Sequence, residues 1–174
     1  MPNLLRIFLA LLLLNSALTF QNRWPTIGVR WVPELSLELA VLLLALALLA
    51  AWRGVPGRAT RNVLFGCLLV LVLGRYLDVT VPALMGRSIN LYWDSQHLPR
   101  IVAMFMDNVA GWQWLLALLA LLFVLVATLR WAFSTIMATL AWPVGRRGIG
   151  ALALVLMMMY GAGRLSLRLP VEHW

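Results

Sequence analysis

The sequence predicts an all-α integral membrane protein of five transmembrane helices, N-in and C-out, and three observations carry that expectation. Of its 174 residues, 63% are hydrophobic and 11% charged, with a mean hydropathy of +0.92; a soluble domain of that length needs far more polar surface. Five segments are apolar over most of the roughly 20 residues that a helix needs to cross a bilayer. The arginines gather in short loops between those segments, so the net charge of +8 is read through topology. Nucleic-acid binding would need a soluble basic face or tail, and no nucleic-acid partner is expected.

The spans are expected at about 4–20, 35–52, 62–77, 111–131 and 148–167 within one domain, 1–174. The first resembles a signal peptide in its position and early Arg6. Its apolar run is long, however, Asn15 and Ser16 interrupt it, and "LTFQNRW" offers no small-residue cleavage site, so a retained helix is expected. The second runs through "LSLELAVLLLALALLAAW" and the third through "NVLFGCLLVLVLG", where the single Cys67 is read as a packing residue. The fourth ends at Trp131 and the fifth stops before Pro170. Helix contacts are expected from Ala45, Ala47, Ala50 and Ala51, or from Gly161 and Gly163.

Loop charge sets the orientation. Arg6, Arg53, Arg58, Arg61, Arg130, Arg146 and Arg147 fall in three alternate regions that contain no acid, which places those regions in the cytoplasm. Seven arginines and all six acids, Glu34, Glu38, Asp78, Asp94, Asp107 and Glu172, fall on the other side. All fourteen basic residues are Arg, which with the wealth of Ala and Leu suggests GC-rich coding and a bacterial inner (cytoplasmic) membrane. Trp24, Trp31, Trp93, Trp112, Trp114, Trp131, Trp142 and Trp174 lie near predicted span ends, as an interfacial aromatic belt requires.

The outer connection between spans three and four, 78–110, is the chain's most polar segment. Within "DSQHLPRIVAMFMDNVAGW", Leu98, Ile101, Val102, Phe105 and Met106 recur at helical spacing, with Asp94, His97, Arg100 and Asp107 elsewhere. It reads as an amphipathic helix at the outer interface, or as a surface helix packed on neighbouring loops. Arg87, Tyr92, Trp93, Asp94, His97 and Arg100 make up the candidate outer-loop surface.

No nucleophile, phosphate-binding or dinucleotide motif occurs, and no catalytic residue is assigned. Asp94 and His97, three apart, would share a helix face as half a metal site, but no third ligand accompanies them and no metal or cofactor is expected. The informative ionisable residues are Glu38, Arg75, Asp78 and Arg164, each near the outer end of a span. Charges so placed are costly unless paired or hydrated. Either they form an ion-pair network, with Glu38 against Arg75, or Arg75 and Arg164 receive the phosphate of a lipid head group while Glu38 or Asp78 orients them.

Five spans in this orientation, with an outer connection carrying "RYLDVTVPALMGRSINLYWD" and a last helix leading outward, resemble the N-terminal membrane domain of bacterial sulfatase-like proteins. These belong to the alkaline phosphatase superfamily, with the phosphoethanolamine transferases and the lipoteichoic acid synthases. The resemblance covers essentially the whole chain. It implies a bundle that anchors a large extracytoplasmic α/β domain with a metal-activated Thr or Ser and helps to present a phospholipid. This chain ends at Trp174, where that domain would begin, so no nucleophile or metal ligand carries over and the chain alone is expected to catalyse nothing.

The partners implied are the bilayer, a phospholipid substrate and an extracytoplasmic catalytic domain or partner subunit. Two other roles compete. A small membrane subunit would dock its outer loops onto an envelope complex. A transporter would carry polar groups at the bilayer midplane, and the centres of spans two to five are almost wholly apolar.

Overall fold

The computed structural model describes residues 3–23, 26–86, 90–108 and 112–166, and the chain is mostly helical. The elements are α1 (Leu4–Thr19), β1 (Gln21–Asn22), β2 (Val29–Arg30), α2 (Leu37–Arg53), α3 (Arg58–Met85), α4 (Leu91–Asn108), α5 (Trp112–Leu140) and α6 (Pro143–Ser166). Among the described residues, three helices contain stretches long and apolar enough to cross a membrane, Arg58–Ala83, Leu115–Leu140 and Pro143–Ala162, and Leu4–Thr19 is a shorter apolar helix.

Small residues and 3–4 spacing decide which helix faces meet. α2 packs along α6 and α1 along α5, α5 also touches α6, and α3 leans on α1 and α5. On α2 the buried positions are Leu39, Ala40, Leu43, Leu46, Ala47 and Ala50, a single stripe. α6 answers with Ile149 and Ala153, and Gly150 lies opposite Ala47. α5 contributes Leu129, Ala132, Phe133, Ile136, Met137 and Leu140, and α3 contributes Phe65 and Leu68. The small-residue seam expected on α2 and α6 therefore forms through Ala47 and Ala50, while Ala45, Ala51 and Gly161 face outward.

The packed part of α5 is only its second half. Every residue from Leu115 to Leu125 is exposed, on all sides of the helix. That sleeve is about 16 Å long at 1.5 Å per residue. An apolar surface of this kind is sustained by lipid or a partner, not by water.

Helix ends depart from the expected spans in two places. α3 does not stop at Leu77 but continues to Met85, through Pro82. Pro82 withholds one N–H in the last turn, a modest loss there. Gly86, at φ 68°, then closes the helix by donating to the Pro82 carbonyl at 2.9 Å.

α5 likewise passes Trp131 and runs to Leu140. Arg130 therefore lies inside the helix and not in a loop. Its Nη2 donates to Asn62 Oδ1 at 2.7 Å, and its guanidinium lies 5.0 Å from the Phe65 ring centroid. These partners offset the cost of a charge within an apolar helix, and the helix needs no terminus at that point.

The turn between α5 and α6 is tight. Trp142 N–H reaches the Thr139 carbonyl at 3.2 Å, Pro143 takes the first helical position, and Gly145 packs so closely that a Cβ would overlap the Thr139 carbonyl. At the same end Arg146 Nη1 donates to the Ala50 carbonyl of α2 at 2.8 Å, meeting an unpaired acceptor at the negative pole of that helix.

Candidate functional site

At the opposite end of the bundle, polar side chains stitch the end of α1 to the start of α2. Asn15 Nδ2 donates to the Glu34 carbonyl at 2.6 Å, and Asn15 Oδ1 accepts from Ser36 N–H at 2.9 Å. Ser36 caps α2, with its Oγ accepting from Leu39 N–H at 3.1 Å. The Ser36 hydroxyl in turn donates to Glu38 Oε2 at 2.8 Å. Glu38 thus serves the cap of its own helix, where a carboxylate also suits the positive pole.

Between these helix ends the chain folds back as a small hairpin, with Gln21 opposite Arg30 and Asn22 opposite Val29. Arg30 Nη2 donates to Gln21 Oε1 at 2.9 Å, and Gln21 Nε2 to Glu34 Oε1 at 3.4 Å. Trp31 Nε1 donates to Ser16 Oγ at 2.9 Å, which pins the segment that follows β2 onto α1.

α3 holds the hairpin from the side. Tyr76 O–H donates to the Ile27 carbonyl at 3.3 Å, and its ring meets Phe20 at 6.5 Å between centroids. Arg75 Nε donates to the Phe20 carbonyl at 3.3 Å, and Arg75 Nη1 lies 3.8 Å from Asp78 Oδ2. The Arg75 side chain is 31% exposed and that of Asp78 77% exposed. The pair one turn apart on α3 is therefore solvated, worth well under 1 kcal/mol in water. A guanidinium carries five N–H donors, and most of those of Arg75 have no protein acceptor among the described residues. Further along α3, Thr80 is buried with a hydroxyl that lacks a partner among the described residues.

The expected pair of Glu38 with Arg75 does not form. Glu38 turns to Ser36 because the cap lies within its own first turn, while Arg75 reaches the Phe20 carbonyl and Asp78 with part of its guanidinium. Arg164 is a residue of α6, and its side chain lies outside the described residues. Arg87, Leu167, Pro170 and Trp174 also lie outside them.

On α4, Asp94 Oδ2 accepts from Asn90 N–H at 2.9 Å, and Asn90 Oδ1 from Trp93 N–H at 3.4 Å. This reciprocal arrangement caps the helix and gives Asp94 a structural role. His97 and Arg100 are exposed. Tyr92 and Trp93 are also exposed, stacked edge to face at 5.2 Å. Among the described residues α4 packs on no other element, and no group of three metal-ligating side chains occurs.

Sequence reasoning missed the hairpin and the stitching role of Asn15, Ser36 and Tyr76. Asn15 and Ser16, breaking an otherwise apolar run, were the legible signal for a polar contact at the end of α1. No family model, curated protein or solved structure matches the chain.

Proposed function

We propose that the chain is the membrane anchor and lipid-presenting module of an extracytoplasmic sulfatase-like enzyme or phospholipid head-group transferase of a bacterial inner membrane, with no chemistry of its own. On this reading α1, α2, α3, α5 and α6 cross the bilayer N-in and C-out. The turn bearing Arg53, Arg58 and Arg61 and the turn bearing Arg146 and Arg147 face the cytoplasm. The hairpin end faces outward, and α4 lies along the outer interface.

The observation that carries the proposal is Arg75. A half-buried guanidinium held by a backbone carbonyl at the polar end of an apolar bundle, with donors to spare, suits the phosphate of an outer-leaflet phospholipid. The test is lipid retention by the purified chain, read by native mass spectrometry. Wild type should retain phospholipid. R75Q should retain about tenfold less, the worth of one charge-assisted hydrogen bond of roughly 1.5 kcal/mol, while R100Q, on the exposed face of α4, should behave as wild type. Equal retention by R75Q would remove the ground for the proposal.

A second reading, a small membrane subunit docked on an envelope complex, is favoured by Tyr92 and Trp93 of α4, two large aromatic side chains that lie exposed side by side. It expects a stoichiometric partner that is lost in Y92A/W93A.

A further inference from the structure

A groove of about 290 Å³ runs along the outer half of α1, between that helix, the hairpin strand and α5. Periodicity explains its walls. Leu13, Ser16, Ala17 and Phe20 stand at i, i+3, i+4 and i+7, and Leu125, Thr128 and Leu129 at i, i+3 and i+4. The groove begins where the exposed sleeve of α5 meets the end of α1.

Its polar atoms are already engaged. Ser16 Oγ accepts from Trp31 Nε1, and Thr128 Oγ1 donates to the Val124 carbonyl at 2.7 Å. Water needs two to four polar partners to be held in such a site, and the lining offers few. The occupant that suits it is a slender hydrocarbon making dispersion contacts along its length. Phe20 is one of the residues lining the groove, and its carbonyl accepts from Arg75 Nε, so the groove and the guanidinium share one residue.

We propose that this groove seats one acyl chain of a phospholipid whose phosphate meets Arg75, so that the lipid is gripped by both its tail and its head. The inference rests on the lipid-presenting reading above and names the class of ligand as a diacyl phospholipid.

The full chain, reconstituted in phosphatidylethanolamine and phosphatidylglycerol vesicles doped with a phospholipid bearing a diazirine on one acyl chain, provides the test. Adducts are mapped by peptide mass spectrometry. They should concentrate on the groove walls, at Leu13, Ala17 and Leu125, and fall severalfold there in A17L and in T128L, which fill the groove from opposite walls. Two variants guard against one that misfolds, and helical circular dichroism with a monodisperse elution profile checks each.

Adducts spread evenly over the Leu115–Leu125 sleeve and unchanged by either variant would mean ordinary surrounding lipid and overturn the proposal. R75Q separates the two ideas. It should keep acyl adducts in the groove from a diazirine diacylglycerol while losing the preference for phospholipid over that neutral lipid. An unchanged preference would overturn the two-point grip while leaving the groove as a bare acyl site.

Discussion

Asn15 is one of a few side chains on which the hairpin end of the bundle depends. It bonds the Glu34 carbonyl and Ser36 N–H at once, so N15L should lower the free energy of unfolding in mild detergent by about 1–3 kcal/mol, the cost of leaving such groups unpaired; an SDS-titration curve superimposable on wild type would contradict this. At the other end, G145A should destabilise by roughly 1–3 kcal/mol, because its methyl would overlap the Thr139 carbonyl within a closely packed turn. G148A is the control, since nothing lies within 4 Å of the position its Cβ would occupy. The sequence showed Asn15 as an interruption and Glu38 as a charge near a helix start, but not their partners. Helical spacing places a side chain on a face, whereas the hairpin that returns Glu34 and Ser36 to Asn15 depends on a turn with strands of only two residues each. Arg130 was misread for a related reason: beside Trp131 it resembles a span end, and only Asn62 and Phe65, from another helix, show why α5 continues.

The pairing of α2 with α6 depends on small side chains that let two backbones approach. In a bilayer, where lipid is as apolar as Leu, such close packing drives helix association. A47L, which places a large side chain opposite Gly150, should part the two helices, while A45L, on the outward face of the same helix, should be neutral. Thermal unfolding in detergent separates the two: a clear fall in midpoint for A47L only is expected, and equal midpoints would contradict the assigned seam. The helices themselves were legible because long Leu- and Ala-rich runs leave the backbone few alternatives. Their ends were less so. Pro82 and Gly86 are both residues that commonly end a helix, yet Pro82 is accepted within the last turn of α3 and Gly86 closes it. The aromatic belt is similarly mixed. Trp142 sits at the turn between α5 and α6, but Trp131 stands well within α5.

For the molecule as a whole, polar contacts sort to two ends of an apolar body. Arg146 on Ala50 lies at one end, and Asn15, Ser36, Arg75 and Tyr76 at the other. The Leu115–Leu140 stretch is about 39 Å long at 1.5 Å per residue, more than the roughly 30 Å of a hydrocarbon core, so the proposed crossing requires tilt or an emergent first turn. α1 and α2, of 16 and 17 residues, are shorter than a span requires, so the proposed five-span reading needs their flanking turns to complete the crossing. The acid-free arginine loops at one of these ends are the basis for proposing that end inside and the hairpin outside, and the lipid proposals depend on that orientation. It is tested most directly by cysteine labelling in intact cells. With exposed Cys67 replaced by Ser, one variant carries Cys at Ile27 in the hairpin and another at Gly57 between α2 and α3. Ile27→Cys should react with a membrane-impermeant maleimide in whole cells, and Gly57→Cys only after the membrane is opened. Labelling of Gly57→Cys in intact cells, with Ile27→Cys protected, would contradict the account.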